Sequence, residues 1–281
     1  YDSSKVFQAN FDGDNHTISG VYFNNEERDY GMYVGVWGYT KYTEYKRTNG
    51  IKNLIVEDSY LNGNTYVGGI AGSGYTIFYN CVNKAVILGG SNIGGIVGST
   101  NVSILKSCNK GNIYSNEGLT YDGSFGGICG WGNPSIYSSY NSGKIHIETA
   151  NNAYAYVGGI MGNPTSGYVE NSYNVGEVYL KSNNEKSSIG GITGKITSQR
   201  AHGIRNSYNI GSVICVDKGT KGGIIGGIEA NCSISLYYVY YLNNDSTLQF
   251  CDSVVEKSVK SKQMIGNFSS YSTTEFNYEL D

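Results

Sequence analysis

Few side chains in this 281-residue chain could carry catalysis, and those few are dispersed. Hydrolysis of a glycosidic bond takes two carboxylates at a set separation, one to protonate the leaving oxygen and one to attack or to activate water. Between Tyr60 and Cys215 the sole aspartate is Asp122, and the glutamates are scattered. Lyase chemistry on uronates wants a basic residue beside a calcium cluster. The arginines Arg28, Arg47, Arg200 and Arg205 make no such group, and the short run Arg200, His202, Arg205 reads as a solvated loop. The histidines His16, His146 and His202 lack the helical pairing of a zinc protease. Asp12-Gly-Asp-Asn15 begins like a calcium loop, but His16 and Thr17 break the order such a loop needs. Gly191-Ile-Thr-Gly-Lys195 has the wrong spacing for a phosphate loop, and Ile196 stands where a hydroxyl would meet magnesium. No catalytic residue, metal site or cofactor is expected.

Binding chemistry is better represented. The stretches 114–124, 146–156, 179–188 and 214–220 vary in length and carry Tyr114, Glu117, Tyr121, Asp122, His146, Glu148, Tyr154, Tyr156, Tyr179 and Glu185. Tyrosines beside carboxylates and amides suit a sugar: the ring stacks on its apolar face and the polar groups orient its hydroxyls. The plainer alternative is that these residues pack and solvate their own turns. A second aromatic set, Tyr140, Tyr173 and Tyr208, is a stacked aromatic platform if it points outward, but is expected to pack in the core or at a corner.

Both sets take their meaning from a repeat. An apolar-Gly-Gly-Ile-x-Gly pattern begins at Val67, Ile93, Phe125, Val157 and Ile189, and a sixth copy begins at Lys221; the steps are 26, 32, 32, 32 and 32 residues. Each copy is followed by a second pattern, such as Asn171-Ser-Tyr-Asn-Val-Gly-Glu-Val178. Recurrence within one chain means that a column meets the same environment in every copy. Three apolar columns follow: Phe78, Ile104, Ile136, Val169, Ile204; Ile87, Ile113, Ile145, Val178, Val213; and Ile70, Ile96, Ile128, Ile160, Ile192, Ile224. Between them lie Gly and Asn, which tolerate positive φ and so suggest corners. The expected fold is an all-β, right-handed parallel β-helix (β-solenoid) with coils of about 32 residues and three short strands per coil. The column Asn83, Asn109, Asn141, Asn174, Asn209 suits an amide ladder at one corner. The variable stretches share one repeat phase and should map to one edge, often the binding edge of such an array.

Composition agrees. Forty glycines are about twice the usual share of roughly 7%, while two prolines leave extended ladders uninterrupted. A formal charge of −3 with no basic patch argues against nucleic acid and anionic membrane as partners. No apolar run approaches the length of a membrane-spanning helix. Cys81, Cys108 and Cys129 occupy columns otherwise filled by small or apolar residues, so thiols are expected rather than disulfides. Tyr1 opens inside sequence that already reads as folded, which suggests an excised part of something longer. Residues 1–60 read as opening coils, 61–245 as the regular solenoid, and 246–281 as a cap or tail, with a short helix or extended cap expected over 252–266.

Val67-Gly-Gly-Ile-Ala-Gly72 and its copies, each followed by the Asn-Ser-Tyr-Asn-x-Gly-x-Val type of pattern, resemble the GLUG-motif repeats of bacterial surface proteins. Phe11-Asp-Gly-Asp-Asn-His-Thr-Ile-Ser-Gly20 is similar to the segment that often precedes them. The resemblance covers nearly all of residues 7–245. It implies an extracellular, modular role of the kind found in adhesins and in the non-catalytic repeats of immunoglobulin A peptidases, and it assigns no catalytic residue. The expected function is a non-catalytic surface module, binding or spacer, beside flanking domains of the same polypeptide. Host or surface glycans and glycoproteins are the expected partners. A carbohydrate-binding module appended to an enzyme, and a polysaccharide-active β-helix enzyme, are the alternatives.

Overall fold

The computed structural model describes residues 6–25, 32–41, 50–116, 119, 121–150, 152–242 and 251, together with the backbone of Val259–Asn267. It is an all-β parallel solenoid with three faces. One coil shows the plan. Ile104–Leu105 and Cys108–Asn109 lie on a first face, here called the tyrosine face. Ile113–Ser115 and Gly123–Gly126 lie on a second, the insertion face, and Cys129–Gly132 lies on a third, the glycine face. The next coil restarts on the tyrosine face at Ile136–Tyr137. Every strand pairs in parallel with the same repeat position in adjacent coils, as in Phe78↔Ile104↔Ile136↔Val169↔Ile204. Among the described residues the glycine face has seven strands, which at a spacing of roughly 4.8 Å spans about 30 Å along the axis.

The three apolar columns run up the interior, buried from Phe78 and Ile87 at one end to Ile204 and Ile224 at the other. Polar columns run beside them. Asn83 Nδ2 donates to Asn109 Oδ1 at 2.7 Å, and Asn109, Asn141 and Asn174 each donate to the next asparagine at 2.8 Å. The same amide groups also donate to the carbonyl two residues on, for example Asn141 to Gly143 at 2.9 Å. Val56 precedes this ladder in register and Tyr241 follows it, so apolar groups close both ends. A serine ladder stands two residues earlier. The hydroxyls of Ser107, Ser139, Ser172 and Ser207 each accept a backbone N–H from the preceding coil at 3.1–3.2 Å.

That serine ladder repairs a kink. Asn53, Asn80, Lys106, Ser138, Asn171, Asn206 and Tyr238 form one column in the left-handed region, with φ between 45° and 53°. The kink turns the backbone amide of the following residue away from its carbonyl partner, and the neighbouring hydroxyl takes its place. Of the Gly and Asn expected to take positive φ, asparagines do so in this column, while the repeat glycines do not. The repeat glycines serve close approach: a Cβ on Gly127 would collide with the carbonyl of Gly159 and the Asn141 side chain, and Gly95, Gly159 and Gly191 meet the same obstacle.

Cys81, Cys108, Cys129 and Cys232 are free thiols, all buried. Burial pushes the Cys81 and Cys129 thiols up to about 12. Residues 246–281, read as a cap or tail, fall largely outside the described residues. Within them Val259–Asn267 is a strand that extends the tyrosine face by pairing with Ile234–Tyr241, rather than a helix.

Candidate functional site

The side chains of the variable stretches make two sets of contacts on the insertion face. The first residues after each buried Ile or Val continue the parallel ladder, which places Tyr114, His146, Tyr179 and Ile214 in one outward column. His146 and Tyr179 stack with ring centroids 4.1 Å apart and planes at 1°, and Tyr114 tilts against His146 at 6.4 Å. Glu148 Oε1 lies 3.1 Å from His146 Nε2, and the Glu148 N–H donates to Ser115 Oγ at 2.9 Å. Tyr179 covers one face of His146 by stacking.

A second group forms where the strands resume. The Asp122 carboxylate accepts the Tyr154 N–H at 3.1 Å, and the Tyr154 and Tyr156 rings lie 4.9 Å apart. Lys195 on the glycine face covers the Tyr156 ring at 5.0 Å and pairs with Glu229 at 3.5 Å. Burial, then the Asp122 charge, raises the Tyr154 phenol above its ordinary range; burial and Tyr154 raise that of Tyr156. Tyr156 is only 7% exposed, too enclosed for a sugar to stack on it. Tyr121 packs partly buried against the core. Glu117 lies outside the described residues.

The tyrosine face carries the alternative of an outward stacked platform, not the favoured core packing. Tyr140, Tyr173 and Tyr208 project outward, not into the core, because the buried residues on either side of each, such as Ser139 and Asn141, take the inward positions. Their rings stack 4.9 and 5.0 Å apart with planes within 2°, so the ladder presents edges and hydroxyls rather than open faces. Arg200, His202 and Arg205 do not share a solvated loop. His202–Asn209 is a strand, in which His202 is buried at 4% and Arg205 faces out. His202 Nε2 lies 2.9 Å from the Ser198 carbonyl, and burial lowers the imidazole below its ordinary value.

Arg205 is held between two tyrosines. Its guanidinium carbon lies 5.3 Å from the Tyr168 ring and 5.3 Å from the Tyr237 ring. Tyr168 can lie across the sheet because Gly203, its partner in the next coil, has no side chain; a Cβ there would come within 2.6 Å of the ring. Reading the columns for outward residues, rather than for recurrence, was the signal that would have found this trio. Near the other end of the rod, Tyr22 and Tyr60 stack at 5.5 Å beside an open depression of about 350 Å³ lined also by Asp58, Ser59 and Lys84. Among the described residues no group of histidine, cysteine and carboxylate side chains is arranged to hold a metal ion.

Fold and side-chain placement together define a parallel β-solenoid with structural amide and hydroxyl ladders inside and tyrosine-rich faces outside. No family model matches the chain. A stretch of 102 residues, 36% of the chain, is 26% identical to halomucin of Haloquadratum walsbyi, and the match spans 1% of that protein's length. Among solved structures the chain is similar to a candidate immunoglobulin A1 protease from Bacteroides ovatus at 18% identity and a TM-score of 0.48, covering 84% of this chain and 78% of that one.

Proposed function

We propose that the chain is a non-catalytic, extracellular repeat module of a surface protein, acting by adhesin-type binding or as a spacer. One observation carries this reading: the polar residues that recur in every coil are consumed by inter-coil ladders. Asn109, Asn141 and Asn174 hydrogen-bond to one another, and Ser107, Ser139 and Ser172 hold the kinked backbone. Repetition is spent on building a rod, and the chemistry left for a partner is the tyrosine-rich exterior. The carboxylates nearest a functional cluster are engaged, Asp122 by the Tyr154 N–H and Glu229 by Lys195. The partial likeness to a protein named as a mucin is in keeping with a place outside the cell.

The test is adhesion of the purified chain to immobilised host glycoproteins and glycans, run beside an assay for release of reducing or unsaturated ends from a polysaccharide panel. Adhesion without release supports the module reading. Release that disappears in Asp122→Asn or Glu229→Gln would show an enzyme instead. Failure to adhere would narrow the role to a spacer.

A further inference from the structure

We infer that Arg205, clamped between Tyr168 and Tyr237, is the anchor of a binding subsite for a carboxylated polysaccharide. The inference rests on the module reading and names the ligand class for its binding arm.

The trio is built rather than incidental. Two aromatic rings, each 5.3 Å from the guanidinium carbon, hold it in place before any ligand arrives. Gly203 leaves the space that seats Tyr168. A guanidinium carries five N–H donors in a planar fork matched to a carboxylate. Here no carboxylate among the described residues lies in ion-pair distance of it, and Nε, shielded from solvent, has no hydrogen-bond partner. Glu170 is its register neighbour in the preceding coil, yet the side chain leans instead to Tyr168 and Tyr237. Cations on exposed sheet faces are ordinarily solvated or paired; this one is preorganised and left short of an oxyanion.

The surroundings favour a sugar acid over an acidic peptide. This is the open middle of a sheet whose backbone groups are already paired on both sides, so a peptide could not add as a strand. The nearby groups suit hydroxyls instead: the exposed Asn206, whose amide donates to Asn171 at 3.1 Å, and the edges of the Tyr173–Tyr208 stack. Glu170, the register neighbour of Arg205, can accept from a sugar hydroxyl beside the bound carboxylate.

The experiment is calorimetric titration of the intact chain with oligogalacturonate and with its carboxyl-reduced counterpart, at low and high salt. Expected are binding to the acid, loss of binding on carboxyl reduction, weakening with salt, and a roughly 10- to 100-fold weaker Kd for both Arg205→Ala and Arg205→Lys. Arg205→Lys keeps a cation between the rings, so unchanged thermal unfolding of that variant separates lost recognition from lost folding. Equal affinity of the Arg205 variants and the parent overturns the inference, as does silence towards galacturonate, alginate, hyaluronan and sialylated oligosaccharides alike. Polyglutamate binding in place of any saccharide also overturns it. Binding lost in Tyr154→Ala but kept in Arg205→Ala would move the subsite to the insertion face and leave the module reading standing.

Discussion

Asn141 shows how much one repeated side chain carries. It donates to Asn174 and to Gly143 and accepts from Asn109, all inside the protein. Asn141→Ala orphans a buried donor on Asn109 and a buried acceptor on Asn174. At about 1–3 kcal/mol for each unsatisfied group, the variant should lose about 2–6 kcal/mol in denaturant unfolding; a loss below about 1 kcal/mol would mean the ladder is dispensable. Titration adds two residue-scale predictions. Hydrogen bonds from Asn53 and Lys52, and then from the Asp14 backbone, hold the Asp12 carboxyl down at about 2. The contacts of this exposed group are therefore in place above its unfolded value near 4 and are lost as pH falls from there through 2. A carboxyl-carbon NMR titration midpoint near 4 would contradict the Asp12–Asn53 contact. His202 has the same sign for a different reason. Its folded value is depressed by burial, so its contribution is full above the unfolded value of 6.5 and declines as pH drops below it, where the unfolded chain takes up a proton first. Removing the imidazole, as in His202→Phe, should flatten the stability profile over that window.

At the scale of the element, the left-handed column explains what could and could not be read in advance. The inward columns were legible because Ile, Val, Phe, Asn and Ser recur there with few exceptions, such as Cys81 in the serine column. The direction of Tyr140, Tyr173 and Tyr208 was not, because the kink at Ser138, Asn171 and Asn206 breaks the alternation of sides along the strand. Its sequence signal was mixed, since Lys106 and Tyr238 share the column with asparagines. The variable stretches were legible as insertions but not as two separate clusters, because their first residues remain in the ladder. The same column supplies a test. Asparagine accepts the left-handed region more readily than other non-glycine residues, and Asn80 and Asn206 already bond to the asparagine one coil below. Lys106→Asn with Ser138→Asn should join these two runs and stabilise the protein by about 1 kcal/mol, seen as a higher Tm. A lower one would argue that lysine and serine are needed there.

The whole molecule is a stack in which each coil touches its neighbours alone. Excision of residues 126–157 joins Phe125 to Gly158 and removes one full coil, because Phe125 and Val157 are register partners. The shortened chain should fold with the same β circular dichroism and lose roughly 5 Å of length in solution scattering. Excision of half as many residues would put apolar columns against polar ones and should not fold. The thiols report on the same integrity: Cys81 and Cys129, buried and held protonated, should resist alkylation in the native stack and react fully once it is unfolded.

The asparagine ladder also has a direction. Every amide from Asn83 to Asn174 donates towards the C-terminal end, and these bonds, like those between the strands, lie along the rod. Tension applied between the two ends therefore loads the coils in series, opening one rung before the next rather than shearing a whole face at once. A single molecule stretched in this way should lengthen in equal steps of about 11 nm, the extended length of one repeat. On the proposed reading as a surface module, such a rod would yield under drag and reclose when the drag stops.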